Sequence, residues 1–158
     1  MAAKNLILFY SWSGNTAKMA KMIQEKVGGD IFEVKTVKPY SAKYALCVAQ
    51  AGKEKLTRSY RELVALPENL ADYDCVYVGA PVWYGGWAFP MLSCLKKIDL
   101  AGKNLLPFCT HGGGGGASLK GKLEALQPKA KVFNSFITVK DGGPNLAKDI
   151  DAWLEKVE

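Results

Sequence analysis

The sequence of 158 residues predicts an α/β fold in which a five-stranded parallel sheet lies between two layers of helices. Three observations support this three-layer α/β/α sandwich. Five strand-like segments alternate along the chain with five segments at helical spacing, which is typical of a parallel sheet with crossover helices. Three of the strand-like segments are almost uninterrupted apolar runs, as expected for strands buried on both faces. Each of these three is followed by a short loop of unusual composition.

The first strand and helix have the clearest pattern in the chain. Residues 6–10 form a compact apolar run, whereas from Thr16 onward apolar side chains recur at helical spacing with lysines between them. Gly28 and Gly29 end the helical pattern. The pattern predicts a buried strand that turns into a helix through residues 11–16.

The rest of the chain continues the alternation of strands and helices. Half-polar alternation over residues 30–37 predicts a strand nearer the edge of the sheet. The other elements follow in order: a basic helix at 42–60, a loop at 67–74, a strand at 75–80, a helix at 89–97, a strand at 104–109, a helix at 118–126, a strand at 132–139 and a last helix at 145–157. There is no internal repeat and no linker, so we predict one domain over residues 1–158.

The loop 11–16 combines three hydroxyl side chains, an amide and a glycine at the start of the first helix. A helix N-terminus presents unpaired N–H groups and the positive end of the helix dipole, which together favour an anion such as phosphate. The loop has no lysine for a triphosphate, and its single glycine falls short of the three in a dinucleotide fingerprint. It therefore predicts a site for one phosphate monoester. Alternatively, its serines only cap the helix.

Two further loops follow strands at the same edge of the predicted sheet, where ligands bind in such folds. Residues 81–86 set two aromatic rings beside two glycines, which favours stacking on a flat ring. Alternatively, these aromatics only cover the core. Residues 110–116 include five consecutive glycines, whose N–H groups suit contacts with a ligand, unless they form a plain connection. With the phosphate loop, they predict a site for a phosphorylated planar heterocycle.

Composition narrows the class of protein. Apolar content of 49% and charged content of 23% are typical of a soluble globular protein, and no stretch is long enough for a membrane span. The N-terminus fits a strand better than a signal peptide, so we expect a cytoplasmic protein without a membrane partner. The spacing of the four cysteines and the single histidine predict reduced thiols and no metal site.

The net charge of +6 is concentrated in one segment. Residues 35–61 carry seven basic side chains against Glu54 alone, and the remainder of the chain has 14 basic and 14 acidic residues. Such a positive field attracts acidic partners or anionic substrates, although a solvated helix face produces the same pattern. No nucleic-acid-binding motif accompanies the charge, so we expect no nucleic-acid partner.

Three segments resemble the flavodoxin family, and the resemblance covers essentially the whole chain. FYSWSGNTAKMA resembles the family's FMN phosphate loop, DYDCVYVGAPVWYGG its middle strand and first ring-side loop, and PFCTHGGGGG the strand and second ring-side loop. The segments occur in the order and at the intervals of that family. The resemblance implies a flavodoxin-like strand order 2-1-3-4-5 and one non-covalently bound FMN. We also expect a monomer.

The resemblance also implies which residues bind the cofactor. Its phosphate end would be held by the first loop, which consists of Ser11, Trp12, Ser13, Gly14, Asn15 and Thr16. The isoalloxazine ring would be lined by Pro81, Val82, Trp83 and Tyr84, and its pyrimidine edge would contact Thr110, His111, Gly112 and Gly113. The Tyr84–Gly85 peptide would be the one that flips beside the flavin N5 on reduction. The redox chemistry would be the cofactor's own, so we expect no catalytic acid or base.

The chain departs from the family in its charge. Electron-carrying flavodoxins are usually acidic around the ring, whereas residues 81–86 and 110–116 contain no Asp or Glu. Less Coulomb repulsion then opposes the second electron, so we expect a less negative potential for the hydroquinone couple than in acidic flavodoxins.

The resemblance leaves more than one function open. The first is electron transport by a small carrier between a reductase and an acceptor enzyme, with redox partner proteins that are acidic. The second is an NAD(P)H-dependent FMN oxidoreductase of quinones or similar acceptors. The short chain favours the carrier, because quinone-reductase relatives generally have longer chains. The third and least favoured is a module that regulates a partner without turnover.

Overall fold

The computed structural model describes residues 4–111 and 118–156. Within these ranges the chain forms seven strands, five α-helices and one 3₁₀ helix, at Leu70–Asp72. The other elements are β1 (Asn5–Phe9), α1 (Asn15–Val27), β2 (Asp30–Glu33), α2 (Tyr44–Thr57), β3 (Cys75–Trp83), β4 (Gly86–Trp87), α3 (Phe89–Lys97), β5 (Asn104–His111), α4 (Leu119–Leu126), β6 (Lys131–Val132), β7 (Phe136–Val139) and α5 (Leu146–Lys156). No helix in the described ranges is long and apolar enough to cross a membrane.

The strand order confirms the predicted parallel sheet. The order is β2-β1-β3-β5-β6, and β7 also pairs with β5. All of these pairs are parallel, and only the short β4 pairs antiparallel, with β3. The position of each main strand therefore matches the order 2-1-3-4-5, but the predicted number of five strands is wrong for the described residues.

Two local features account for the additional strands. The predicted strand 132–139 is divided into β6 and β7, because the chain leaves the ladder after Phe133, whose N–H still donates to the Leu105 carbonyl. The next carbonyl, of Asn134, accepts a hydrogen bond from the Trp153 indole at 2.9 Å instead of joining the sheet. The second feature is β4, which forms a hairpin with the end of β3.

Both faces of the sheet are buried. Ile7 and Phe9 belong to one hydrophobic core, whereas Leu6 and Leu8 belong to the other, because successive side chains of a strand point to opposite faces. The first core includes residues of α1 and α5, and the second includes residues of α2, α3 and α4. This double burial explains why residues 6–9 of β1 are all apolar.

The edge strand β2 is shorter than predicted. Its ladder with β1 ends at Glu33, and beyond it the N–H of Val37 donates to the Glu62 carbonyl at 2.9 Å. In return, the N–H of Val64 donates to the Lys35 carbonyl at 2.9 Å. Residues 35–37 therefore keep an extended conformation, but their partner is the segment after α2 and not the main sheet.

Candidate functional site

A cleft of about 520 Å³ lies at the carboxyl ends of β1, β3 and β5. Its volume falls within the range of small-molecule and cofactor sites. Nine of the residues that the sequence singled out line it: Trp12, Ser13, Asn15, Pro81, Val82, Trp83, Tyr84, Thr110 and His111. The three loops therefore do converge on one edge of the sheet, as their composition indicated.

The other predicted site residues lie beside the cleft or outside the described ranges. Ser11, Gly14, Thr16 and Gly85 are not among the residues that line the cleft. Gly112 and Gly113 lie outside the described residues. Their contacts with a cofactor stay predictions.

The N-terminus of α1 is arranged to receive an anion. Gly14 precedes the helix with a left-handed φ of 95° and, as the N-cap residue, offers no side-chain cap. The N–H of Asn15, the first helical residue, donates to the Ser13 hydroxyl oxygen at 3.5 Å. The Gly14 N–H donates to the Ser11 hydroxyl oxygen at 3.1 Å, which keeps the loop tightly curled. A side chain at position 14 would have open space but a strained backbone, so the turn requires glycine for its conformation. The polar groups of Ser13 and Asn15 line the cleft beside this helix start.

A buried pair of hydroxyls joins α1 to β5. The side-chain oxygens of Thr16 and Thr110 lie 2.9 Å apart, and both residues are buried. One hydroxyl of such a pair donates, and the accepting hydroxyl keeps its own proton for a further partner. Thr16 therefore fixes the phosphate loop against the end of β5, a structural role that the sequence did not reveal.

The aromatic loop is a two-residue β-hairpin. Trp83 pairs with Gly86, and the two residues between them, Tyr84 and Gly85, have φ of 51° and 74°. Positive φ at both central positions identifies a type I′ turn. A flip of the peptide between them converts the turn to type II′, which favours glycine at the position that Tyr84 occupies. The predicted flip would therefore strain Tyr84 by about 1–3 kcal/mol.

Trp83 combines the two roles that the sequence left open. Its indole packs edge-on against three rings, with centroids 5.7 Å from Tyr10, 4.9 Å from Tyr40 and 5.8 Å from Phe89. The residue nevertheless lines the cleft. It is thus both part of the cover over the core and a ring that is held rigidly at the cleft wall.

The helix α2 forms a wall of the cleft that sequence reasoning missed. Its contribution consists of Tyr44, Cys47, Val48 and Ala51. These positions follow the spacing i, i+3, i+4 and i+7, which is the pattern of one apolar helix face. The apolar spacing is thus the sequence signal for this face, and the many basic residues of the same helix obscure it.

Tyr84 connects this wall to the hairpin. Its hydroxyl donates to the Val48 carbonyl at 2.9 Å, and the Lys55 ammonium lies 5.0 Å from the centre of its ring. A Cβ atom at Gly52 would come within 2.8 Å of the Tyr84 hydroxyl, so the close approach depends on glycine. Tyr84 therefore holds α2 against the cleft, in addition to lining it.

A charged network anchors the buried side of α2. The buried Glu54 accepts hydrogen bonds from the Tyr40 hydroxyl at 2.7 Å and from the Arg61 Nε at 3.3 Å. The Arg61 guanidinium also lies 4.0 Å from the centre of the Tyr40 ring. Burial, and then the hydrogen bond to Glu54, raise the pKa of Tyr40. The one acidic residue of the basic segment is therefore internal and neutralised by Arg61.

The charges that line the cleft are positive. Lys140 reaches the lining from the turn after β7, where its N–H donates to the His111 carbonyl at 2.8 Å. No Asp or Glu is among the described residues that line the cleft. Sequence reasoning missed Lys140, because only the pairing of β7 with β5 brings it beside His111.

Comparison with known proteins gives a family and a fold. A family model described as Flavodoxin matches residues 4–157. A curated relative, an NAD(P)H dehydrogenase (quinone) from Archaeoglobus fulgidus, is 33% identical over 105 residues, which make up 64% of this chain and 52% of the relative. The chain thus spans about half the length of that relative.

Three solved structures have the same architecture. A crystal structure from Bacteroides eggerthii has a TM-score of 0.83 at 23% identity and covers 98% of both chains. A flavoprotein from Lactobacillus acidophilus in complex with FMN has a TM-score of 0.74 at 24% identity, over 97% of this chain and 99% of that chain. Oxidised flavodoxin 1 from Bacillus cereus has a TM-score of 0.62 at 19% identity, over 98% and 97%. At these identities the likeness shows the fold.

Proposed function

The chain belongs to the flavodoxin family, and on that premise we propose that it binds one FMN non-covalently in the cleft at the ends of β1, β3 and β5. The donor set suits this cofactor. The start of α1, with Ser13 and Asn15, offers N–H, hydroxyl and amide groups to a phosphate. The half-buried side chains of residues 81–83 and the more exposed Tyr84 offer an apolar and aromatic wall to the ring.

The residues of the chain bind and orient the cofactor. Thr110 and His111 lie at the end of β5, next to the phosphate loop, where they would contact the polar edge of the ring. Bound FMN supplies the transfer of electrons, and the surrounding charges set its potential. Lys140 and the absence of carboxylates from the described lining favour the more negatively charged, reduced cofactor.

We infer that the protein is a small electron carrier, and the observation that supports this most is the wall formed by α2. A reductase that uses NAD(P)H has to stack a nicotinamide ring against the flavin, so it needs space for two rings. Here the Tyr84–Val48 hydrogen bond holds α2 over the aromatic hairpin. A carrier needs only an exposed edge of the cofactor.

The second candidate is an NAD(P)H-dependent oxidoreductase of quinones or similar acceptors. The relative from Archaeoglobus fulgidus favours it, although the match covers 52% of that protein. An anaerobic reductive titration with potentiometry separates the two functions. We expect bound yellow FMN that is reduced in two separate one-electron steps and turns over little NAD(P)H. A single two-electron step with rapid oxidation of NAD(P)H would support the reductase, and a protein that takes up no FMN would exclude both.

The second one-electron potential provides a quantitative prediction. We expect Tyr44→Glu, which places a carboxylate at the cleft wall, to lower that potential by about 40 mV, which corresponds to about 1 kcal/mol of Coulomb repulsion. The neutral variant Tyr44→Gln should leave it unchanged within error. Spectroelectrochemistry of both variants at low salt measures the shift. Equal potentials in the two variants would contradict an electrostatic origin.

Lys140 is expected to recognise the phosphate of FMN. No ion pair joins its ammonium to a described acidic residue, and it lines the same cleft as Ser13 and Asn15. We expect Lys140→Met to weaken FMN binding about 10-fold at low salt, which is about 1.4 kcal/mol, and to leave riboflavin binding unchanged. Fluorescence quenching of both flavins measures the two dissociation constants. Lys148→Met, on α5, removes the same charge away from the cleft and is the control. An equal loss of affinity for FMN and riboflavin would show that Lys140 contacts the isoalloxazine ring and not the phosphate.

A further inference from the structure

We propose that the outer surface of α2 is the docking surface for an acidic electron-transfer protein. The inference rests on the proposed function, because it identifies the kind of partner that would exchange electrons with the cofactor. We call this surface the α2 face, and it consists of Tyr44, Leu46, Val48 and Leu56 with Lys43, Lys53, Lys55 and Arg58.

Large apolar side chains are exposed on this helix to an unusual extent. The exposed fraction is 73% for Tyr44, 52% for Leu46, 40% for Val48 and 88% for Leu56. The helix buries only Cys47, Ala51 and Glu54. Single exposed apolar residues are ordinary, but a cluster on one helix is typical of an interaction site.

The apolar residues form two stripes with different neighbours. Tyr44 and Val48 lie one turn apart and also line the cleft, so this stripe ends at the cofactor site. The second stripe consists of Leu46, Lys53 and Leu56, which lie at the spacing i, i+7 and i+10. A partner that covers both stripes would therefore contact the edge of the cleft.

The charges around these stripes are positive, and that of Lys55 lies over the Tyr84 ring. Among the described residues, no ion pair engages Lys43, Lys53, Lys55 or Arg58. The only acidic side chain of the helix, Glu54, is buried and bonded to Arg61, so it does not offset them at the surface. The basic side chains are interspersed with the exposed apolar ones, so the surface combines apolar contact area with a positive field that attracts a partner of opposite charge.

An acidic protein fits this surface better than the other occupants. A second copy of the chain would bring two basic faces together, and like charges repel. An anionic membrane would also attract a basic helix with apolar side chains. We favour a protein because the surface adjoins the cleft, where electron transfer requires the closest approach.

The test measures electron transfer between the FMN-loaded protein and two probes of opposite charge: reduced ferredoxin donates electrons to it, and oxidised cytochrome c accepts electrons from it. A plant-type [2Fe–2S] ferredoxin serves as the acidic probe, and cytochrome c, reoxidising the reduced protein, serves as the basic probe. We expect Lys53→Glu with Arg58→Glu to lower the second-order rate constant with ferredoxin at least 10-fold at low salt and to raise or preserve that with cytochrome c. The matched control, Lys148→Glu with Lys156→Glu on α5, reverses two charges away from the α2 face and should change the rate with ferredoxin less than 2-fold.

The apolar part of the surface is tested separately. Leu56→Ser should slow the reaction with ferredoxin at high salt as well, because it removes apolar contact.

Several results would overturn the proposal. One is an equal effect of the α2 and α5 charge reversals, and another is an unchanged dissociation constant for ferredoxin in isothermal titration of the α2 variant. Binding to phosphatidylglycerol vesicles that depends on Leu56, with no binding of ferredoxin, would replace the protein partner by a membrane. A concentration-dependent dimer that Leu56→Ser dissolves would replace it by a second copy. Failure to take up FMN would refute the proposed function, and the calorimetric titration of the flavin-free protein would still decide whether the α2 face binds ferredoxin.

Discussion

Replacing Phe108 with alanine is expected to lower the free energy of unfolding by about 3–5 kcal/mol, which is the range for truncating a buried phenylalanine. Phe108 is fully buried in β5 and belongs to the core that α1 and α5 cover. Its ring lies against Gly79 of the neighbouring strand β3, where a Cβ atom would collide with the ring. Truncation would therefore leave a cavity in this core, over the β3–β5 pair, that Gly79 cannot fill because it has no side chain.

The pairing of a large and a small residue gives this prediction an internal control. Gly79→Ala alone should destabilise by about 1–3 kcal/mol through overpacking, whereas combining it with Phe108→Leu should be less harmful than the sum of the two changes. Urea unfolding at a fixed FMN concentration measures the free energy of unfolding of the parent protein, Gly79→Ala, Phe108→Leu and the double variant, and in the same way that of Phe108→Ala. Val139→Ala, at an exposed position of β7, should change stability by less than about 0.5 kcal/mol. A loss below 1 kcal/mol for Phe108→Ala would contradict the packing argument.

The same core position bears on the cleft. Gly79 and Phe108 are partners in the β3–β5 ladder, and two residues further along the partners are Pro81 and Thr110, which line the cleft. A disturbance at Phe108 would therefore reach both walls through the shared ladder. We expect Phe108→Ala to weaken FMN binding as well, because binding depends on the relative position of these two strand ends.

The parts of the fold that local patterns determine could be predicted from the sequence. Residues 6–10 are apolar throughout, because β1 is buried on both faces, and Gly28 ends α1 with a φ of 73°. The helix 89–97 has the predicted bounds. Each of these signals is contained in neighbouring residues, and tertiary contacts do not override them.

The parts that long-range contacts determine could not be predicted. Residues 35–37 have the alternation of a strand, but their hydrogen bonds go to residues 62–64 and not to the main sheet. The carbonyl of Asn134 is taken by an indole on α5, which divides the last strand. Neither partner is identifiable from the sequence near the affected segment, since β-structure depends on the neighbouring chain as much as on its own residues.

The candidate site shows the same division. The phosphate loop and the aromatic hairpin each lie at the end of a strand, so their position in the sequence predicts that they lie at the edge of the sheet. Their composition then indicates that they bind a ligand. Lys140 and the α2 wall reach the cleft only through tertiary structure. The apolar spacing of residues 44–51 lies within the strongly basic segment 35–61, so the charge is the more prominent pattern. A strong compositional signal concealed a weaker periodic one.

Raising the pH from 8 to 10 is expected to lower the free energy of unfolding by about 3 kcal/mol through two buried thiols. Burial raises the pKa of Cys94 and of Cys109 from 9.0 to about 12. Above pH 9 the unfolded chain loses protons that the folded chain retains, so stability falls by about 1.4 kcal/mol per pH unit for each thiol. The contribution is fully present below pH 9 and is lost as the pH rises towards 12.

Urea unfolding under reducing conditions at pH 8 and pH 10 measures this loss. Cys94→Ala and Cys109→Ala should each reduce the difference between the two pH values by about 1.4 kcal/mol, even though each also lowers stability at pH 8 by removing packing. Ser93→Ala, at a buried position that does not titrate in this range, should leave the pH difference unchanged. Burial also raises the pKa of Tyr10 and Tyr40, but tyrosine in the unfolded chain is only half ionised at pH 10, so the cysteines account for most of the loss. Burial raises the pKa of the Cys47 thiol as well, and its contribution remains in the double variant of Cys94 and Cys109. An undiminished pH difference in the double cysteine variant would show that other groups cause the alkaline destabilisation.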